Sequence, residues 1–249
     1  MKDDDLSELI PVDVTTAQQV YEHYQRHQQS VPRALAMYGW LAMKLRPHVD
    51  YVEGARAQLS RLTRRRAPLL ISANHISEDD PLVLAAAGFR SPLRPRIGHI
   101  RVLAKDELFA DPEQRRKIDA LGGIPVFRTT DHGMRAALLA GQQMIDTCVH
   151  RILRHDSIAI FPEGTCNTED PATVQKLNSG VGHIAHRALS HGAEITLVSA
   201  AITYAHRSGR PAVTFGYPVA ATSLDATTPA AITRHIQADL QSMVERAAS

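Results

Sequence analysis

The sequence predicts an α/β fold: a mostly parallel sheet flanked by helices, with an N-terminal helical pair. Two observations carry this. From about residue 49 onward, short aliphatic runs alternate with helical stretches, the pattern of parallel strands whose connections cover both faces of a sheet. Before that point only helical patterns occur. The 249 residues suit one such domain with an added segment. An apolar content of 44% supplies its core, and 22% charged residues excludes wholesale disorder.

Taken in order, residues 1–14 read as a loose tail. Thr15 to Gln29 is a polar helix with Thr15 or Thr16 as its cap. Pro32 opens a second helix that stops near Arg46, before Pro47. Ala34, Leu35, Met37, Tyr38, Trp40, Leu41, Ala42, Met43 and Leu45 leave this helix apolar around most of its circumference, between Arg33 and Lys44. Tail and helices make up residues 1–48, and the α/β domain runs over 49–249. Pro68–Ala73 is a buried strand, followed by a helix over Pro81–Ala87. Further strands are expected at Arg101–Ala104, Ile124–Phe127, Ser157–Phe161, Ile195–Tyr204 and Ala212–Phe215. Helices lie between or after them at Met134–Arg154, Gly180–His191 and Pro229–Ala247.

Composition narrows the function. Two cysteines make no disulfide framework and fit a reducing compartment. The longest apolar run, Ala34–Met43, falls short of the roughly 20 residues that cross a bilayer. The acidic start Met-Lys-Asp-Asp-Asp carries no signal-peptide core. The net charge of +2 is small, but its distribution is uneven. Arg61, Arg64, Arg65 and Arg66 cluster, and Arg90, Arg94, Arg96, Arg101 and Lys105 follow one another with no carboxylate between them. Such patches suit an anionic ligand or a membrane surface. Nucleic acid is disfavoured, because almost no aromatics accompany the cations.

Four polar segments follow directly after predicted strands: Asn74–Asp80, Lys105–Phe109, Arg128–Asp131 and Pro162–Asn167. In a parallel sheet this puts them at the carboxyl end, where ligands bind. In the first, His75 leaves a buried strand and Asp80 precedes Pro81, near a helix N-cap. One loop turn separates them, so the carboxylate can fix the imidazole tautomer, the arrangement of a general base acting on a hydroxyl. Asp80 as a plain cap with His75 as an ordinary loop residue is the simpler alternative. In Phe161-Pro162-Glu163-Gly164-Thr165, polar side chains flank a glycine after a strand, which suits ligand contacts or a strand-ending turn. Gly122-Gly123-Ile124-Pro125-Val126-Phe127-Arg128 delivers one arginine to the same sheet end, where it suits bidentate phosphate binding.

Together these pieces resemble the glycerophospholipid acyltransferase family, the PlsC-like enzymes that include 1-acyl-sn-glycerol-3-phosphate and glycerol-3-phosphate acyltransferases. The family motif N-H-x4-D is met by Asn74, His75 and Asp80. G-x-I-F-[IV]-x-R is met by Gly122, Ile124, Val126 and Arg128, with Pro125 in place of the aromatic. F-P-E-G-T-[RK] is met by Phe161 to Thr165, and Lys105 matches a common family lysine. The resemblance covers roughly residues 50–205. It implies transfer of an acyl chain from acyl-CoA or acyl-carrier protein to a hydroxyl of a lipid precursor such as lysophosphatidate. His75 would be the base and Asp80 its orienter. Asn74, Lys105, Arg128, Glu163, Gly164 and Thr165 would hold substrate. It implies no metal and no cofactor beyond the donor, and a cytoplasmic enzyme peripheral on the inner face of the cell membrane.

Two departures bear on the acceptor. Cys166 stands where the family usually has a cation, and Ile195-Thr196-Leu197-Val198-Ser199-Ala200-Ala201 lacks the prolines of the fourth motif. Either a cation from residues 90–105 replaces the missing one, or the acceptor has no phosphate monoester there. A catalytic thiol is a sharper alternative. Rival functions are a metal-assisted hydrolase using His75, Asp79, Asp80 and Glu163, a non-catalytic acyl- or lipid-binding module, and the same chemistry on an amino-lipid or glycolipid.

Overall fold

The computed structural model describes residues 10–225 and 228–248. Its centre is an eight-stranded sheet. The strands are β1 His48–Tyr51, β2 Leu69–Ala73, β3 Ile100–Lys105, β4 Gly123–Val126, β5 Ser157–Ile160, β6 Thr196–Thr203, β7 Ala212–Phe215 and β8 Val219–Ala220. Their order is β1-β7-β6-β2-β5-β3-β4, with β8 added on β6. The run from β6 to β4 is parallel. β7 pairs antiparallel with β6, and β1 follows β7. The helices are α1 Ala17–Arg26, α2 Val31–Leu45, α3 Ala55–Arg64, α4 Asp80–Arg90, α5 Pro112–Ala120, α6 Met134–Leu153, α7 Gly180–Ser190 and α8 Pro229–Ala248.

The central strands are apolar on both faces because both faces are covered. Along β2, Leu69, Ile71 and Ala73 pack against Leu59 of α3 and Val83, Leu84 and Ala87 of α4. Leu70, pointing the other way, joins a larger cluster with α1, α6, α7 and α8. This period-2 division places β2 at the middle of a three-layer sandwich. α2 lies outside it, with Ala34, Tyr38, Leu41 and Ala42 packed on Ala85 and Ala86 of α4.

The predicted strands and helices all occur, with ends shifted by a few residues. β1, β8, α3 and α5 were not anticipated. α3 and α5 are polar helices in which charge masks the periodicity; α5 is tied down by a bond of 2.7 Å from Arg115 to the Ile10 carbonyl and by Asp111, which caps Gln114. Of the predicted tail, residues 1–9 lie outside the described residues. Ile10, Val12 and Val14 pack against the larger core cluster.

Candidate active site

Parallel strands end side by side, so the sheet order sets the order of the site: Tyr204 after β6, His75 after β2, Glu163 and Cys166 after β5, Lys105 at the end of β3, Arg128 after β4. Residues far apart in sequence become neighbours for this reason alone.

The chain leaves β2 through Asn74, which is buried and bonds the Ile202 backbone in both directions, at 3.0 and 2.7 Å. Its amide is thereby spent on tying β2 to β6. His75 follows, half-buried, with its ring 4.8 Å from that of Phe161. Its Nδ1 lies 3.0 Å from Asp80 Oδ2. Asp80 is fully buried and sits at the first residue of α4, so it is not the N-cap. Its carboxylate turns back into the loop, where Oδ2 accepts from Ile76 N at 2.6 Å and Ser77 N at 2.8 Å. Oδ1 accepts from the Tyr204 hydroxyl at 2.9 Å. Four donors thus fix the carboxylate, and burial pushes the Tyr204 hydroxyl well above its ordinary range, so it stays a donor. With Nδ1 facing a carboxylate, the imidazole carries its proton on Nδ1 and a lone pair on Nε2.

Glu163 holds the loop from the other side. Its Oε1 accepts from His75 N at 2.7 Å and its Oε2 from Gln175 N at 2.9 Å. Burial raises its pKa, while these two N–H groups and the His75 ring lower it. A bond of 2.6 Å from Asn167 N to the His75 carbonyl completes the clamp. Gly164 adopts φ +77°, and a Cβ there would meet Asn178 Nδ2 at 2.5 Å, so both backbone and space require glycine. Thr165 is exposed, and its hydroxyl reaches Gln175 Oε1 at 3.3 Å. Cys166 is the unexpected neighbour. Its Sγ lies 3.3 Å from His75 Nε2, the nitrogen that would act as base. Burial, with Asp80, Glu78 and Glu163 nearby, pushes the thiol pKa up.

Arg128 donates to the Gly164 carbonyl at 3.2 Å and pairs with Asp131 at 2.8 Å, holding that carboxyl below its usual range. Lys105 is ion-paired with Glu107. Every residue predicted for the site therefore lies along one edge of the sheet. Tyr204 and the Cys166 contact were missed. Tyr204 had a signal, since it closes a predicted strand that runs to this edge; Cys166 stood out in the sequence, but nothing local marked its contact with His75. The carboxylates of Asp80 and Glu163 are occupied by N–H and O–H donors. Among the described residues, the three-residue group with ligand atoms within 4.8 Å of one another is His48, Asp50 and His206.

A family model described as Acyltransferase matches residues 55–203, more than half of the chain. A comparison with curated proteins finds no match.

Proposed function

The chain belongs to the acyltransferase family, and on that premise we propose that it moves a fatty acyl chain from acyl-CoA or acyl-carrier protein to a hydroxyl of a glycerophospholipid precursor such as lysophosphatidate, with His75 as general base. The observation that carries this is the 3.0 Å contact between Asp80 Oδ2 and His75 Nδ1, which leaves Nε2 as the ring's acceptor, with the Cys166 sulfur 3.3 Å away. The acceptor hydroxyl takes the place that the Cys166 thiol occupies at Nε2. As its oxygen attacks the thioester carbonyl, its proton passes to Nε2. The tetrahedral intermediate collapses with cleavage of the C–S bond, and the departing thiolate takes that proton from His75. Asp80 holds the ring in one tautomer throughout.

In this proposal Arg128 and Lys105 hold the acceptor phosphate. One observation favours a second acceptor class. Both cations already have a carboxylate partner, Asp131 and Glu107. That arrangement suits an amino-lipid or glycolipid hydroxyl without a phosphate monoester. Thiol release from acyl-CoA, measured against a panel of hydroxyl acceptors with mass-spectrometric product identification, tests the reaction; release without an acylated product would refute it. The same assay on Arg128→Ala separates the acceptors. If Arg128 binds phosphate, loss of a charge-assisted hydrogen bond worth about 1.5–3 kcal/mol lowers specificity for phosphorylated acceptors about 10–150-fold. Unphosphorylated acceptors would be spared. Equal losses would exclude the phosphate role.

The acceptor and product are lipids, so the enzyme should work at a bilayer surface, on the inner face of the cell membrane. Among the described residues, no helix is long and apolar enough to cross a membrane. α2 instead buries one face and exposes Pro32, Ala36, Trp40 and Met43 at helical spacing on the other. Trp40 is 51% and Met43 72% exposed, and Lys44 lies over the Trp40 ring at 5.0 Å. Tryptophan beside cations favours the interface. Anionic vesicles are therefore expected to blue-shift the emission of Trp40, the single tryptophan, and to shield it from aqueous quencher. An unchanged spectrum in the presence of vesicles would remove α2 as the docking element.

A further inference from the structure

The parallel strands start at the edge of the sheet opposite His75, about 17 Å away along the five residues of β2. There the two arginine clusters of the sequence meet. Arg64 ends α3 and Arg66 follows it, Arg96 and His99 precede β3, and Arg154 and His155 join α6 to β5. With Thr63 and Val31 they line a cleft of about 400 Å³ that has no carboxylate in its wall.

The charge of this cleft is not neutralised from within. Asp156, just behind it, receives Arg101 Nε at 2.9 Å, Arg151 Nε at 2.7 Å and His99 Nδ1 at 3.1 Å, so its oxygens are taken. Among the described residues, none of Arg64, Arg66, Arg96 and Arg154 forms an ion pair. Arg64 donates to Ser60 Oγ at 2.8 Å and Arg96 to the His155 carbonyl. Two polar atoms of the lining residues are buried without any partner, Thr63 Oγ1 and Arg96 Nε, on side chains only 6% and 4% exposed. Buried polar atoms are nearly always paired, and such orphans call for an explanation. Arginine at a helix C-terminus is favoured by the helix dipole, which accounts for Arg64 and Arg154. It accounts for neither Arg96, buried at the end of the three-residue 3-10 turn Arg94–Arg96, too short for a sizeable dipole, nor the orphaned hydroxyl.

We infer that this cleft binds a phosphate-bearing anion. Arginine N–H groups and the Thr63 hydroxyl can donate, and a phosphate offers acceptors on every oxygen. Guanidinium forks match phosphate oxygens two at a time. Four unneutralised arginines suit a ligand with at least two negative charges. The same chemistry is presented by a soluble phosphate ester and by the head group of an acidic phospholipid. The inference does not depend on the acyl-transfer reading, since the cleft shares no residue with the His75 site.

The test is calorimetric titration of the full chain with inorganic pyrophosphate at low salt. Three forms are compared: wild type, Arg64→Ser/Arg66→Ser and Arg61→Ser/Arg65→Ser. Arg61 and Arg65 are exposed on the same helix end outside the cleft, so the second pair removes equal charge without touching the lining. One pyrophosphate should bind per wild-type chain. The cleft pair should weaken it about tenfold or more, and the other pair should bind as wild type does. No binding to the folded wild type, or equal weakening by the two arginine pairs, would overturn the site. Phosphatidylcholine vesicles with and without phosphatidate distinguish the source. For a lipid ligand, recruitment depends on phosphatidate, falls in the cleft pair only and is displaced by pyrophosphate. For a soluble ligand, pyrophosphate binding depends on the cleft while recruitment is the same in both arginine pairs.

Discussion

Replacing His75 with alanine is expected to lower acyl transfer by about 10²–10⁴-fold, the usual cost of losing a general base. The chain should stay folded. The local structure at His75 is carried by its backbone, through its N–H to Glu163 and its carbonyl to Asn167, and these bonds survive loss of the ring. Asp80→Asn should behave differently. An amide keeps one oxygen but turns an NH₂ toward some of the four donors that now converge on the carboxylate, from His75, Ile76, Ser77 and Tyr204. Leaving a buried donor unpaired costs about 1–3 kcal/mol, so Asp80→Asn should lower the melting temperature as well as the rate. Its loss of rate should be somewhat smaller than that of His75→Ala, because the base itself remains. Thiol release and thermal unfolding on the same preparations check both statements. A His75→Ala protein above half the wild-type rate would end the mechanism.

What was legible in the sequence follows from where each signal resides. Strands buried on both faces announce themselves as mostly apolar runs broken only by Ser or Thr, and Leu69–Ala73, Ser157–Ile160 and Thr196–Thr203 were found for that reason. β1 is a four-residue edge strand with an exposed histidine and has no such run. The reversal of β7 against β6 goes with the short connection over residues 204–211, which cannot carry the crossover that a parallel pair needs. The pairing of His75 with Asp80 spans five positions and was readable as local chemistry. The grip of Glu163 on the His75 backbone spans 88 positions, and the bond from Tyr204 to Asp80 spans 124. Their residues could be placed at the correct edge of the sheet, but their partners are set by the strand order. Cys166 is the clearest case. As a sequence position it was a missing cation for the acceptor; in the fold its sulfur faces His75 Nε2.

That placement leads to the second large effect. N-ethylmaleimide is expected to inactivate the enzyme through Cys166, to an extent comparable with loss of His75. The adduct would sit 3.3 Å from Nε2 and exclude any hydroxyl from it. Only one of the two thiols is a candidate, because Cys148 is fully buried in the core. Reaction requires the thiolate. The Cys166 thiol is pushed above the ordinary range of about 8–9. A raised pKa means that the thiolate fraction is small at neutral pH and grows as pH rises, so the inactivation rate should climb from pH 7 and still be rising at pH 9. Acceptor lipid, by occupying the same position at Nε2, should slow it. Cys166→Ser should resist the reagent and keep activity within a few-fold of wild type, since the proposed direct transfer has His75 as its base and needs no nucleophile on the protein. Inactivation of Cys166→Ser at the wild-type rate would place the sensitive group elsewhere. An unmodified serine variant that is dead, with His75 still ordered and the fold intact, would instead show that the thiol itself takes the acyl group.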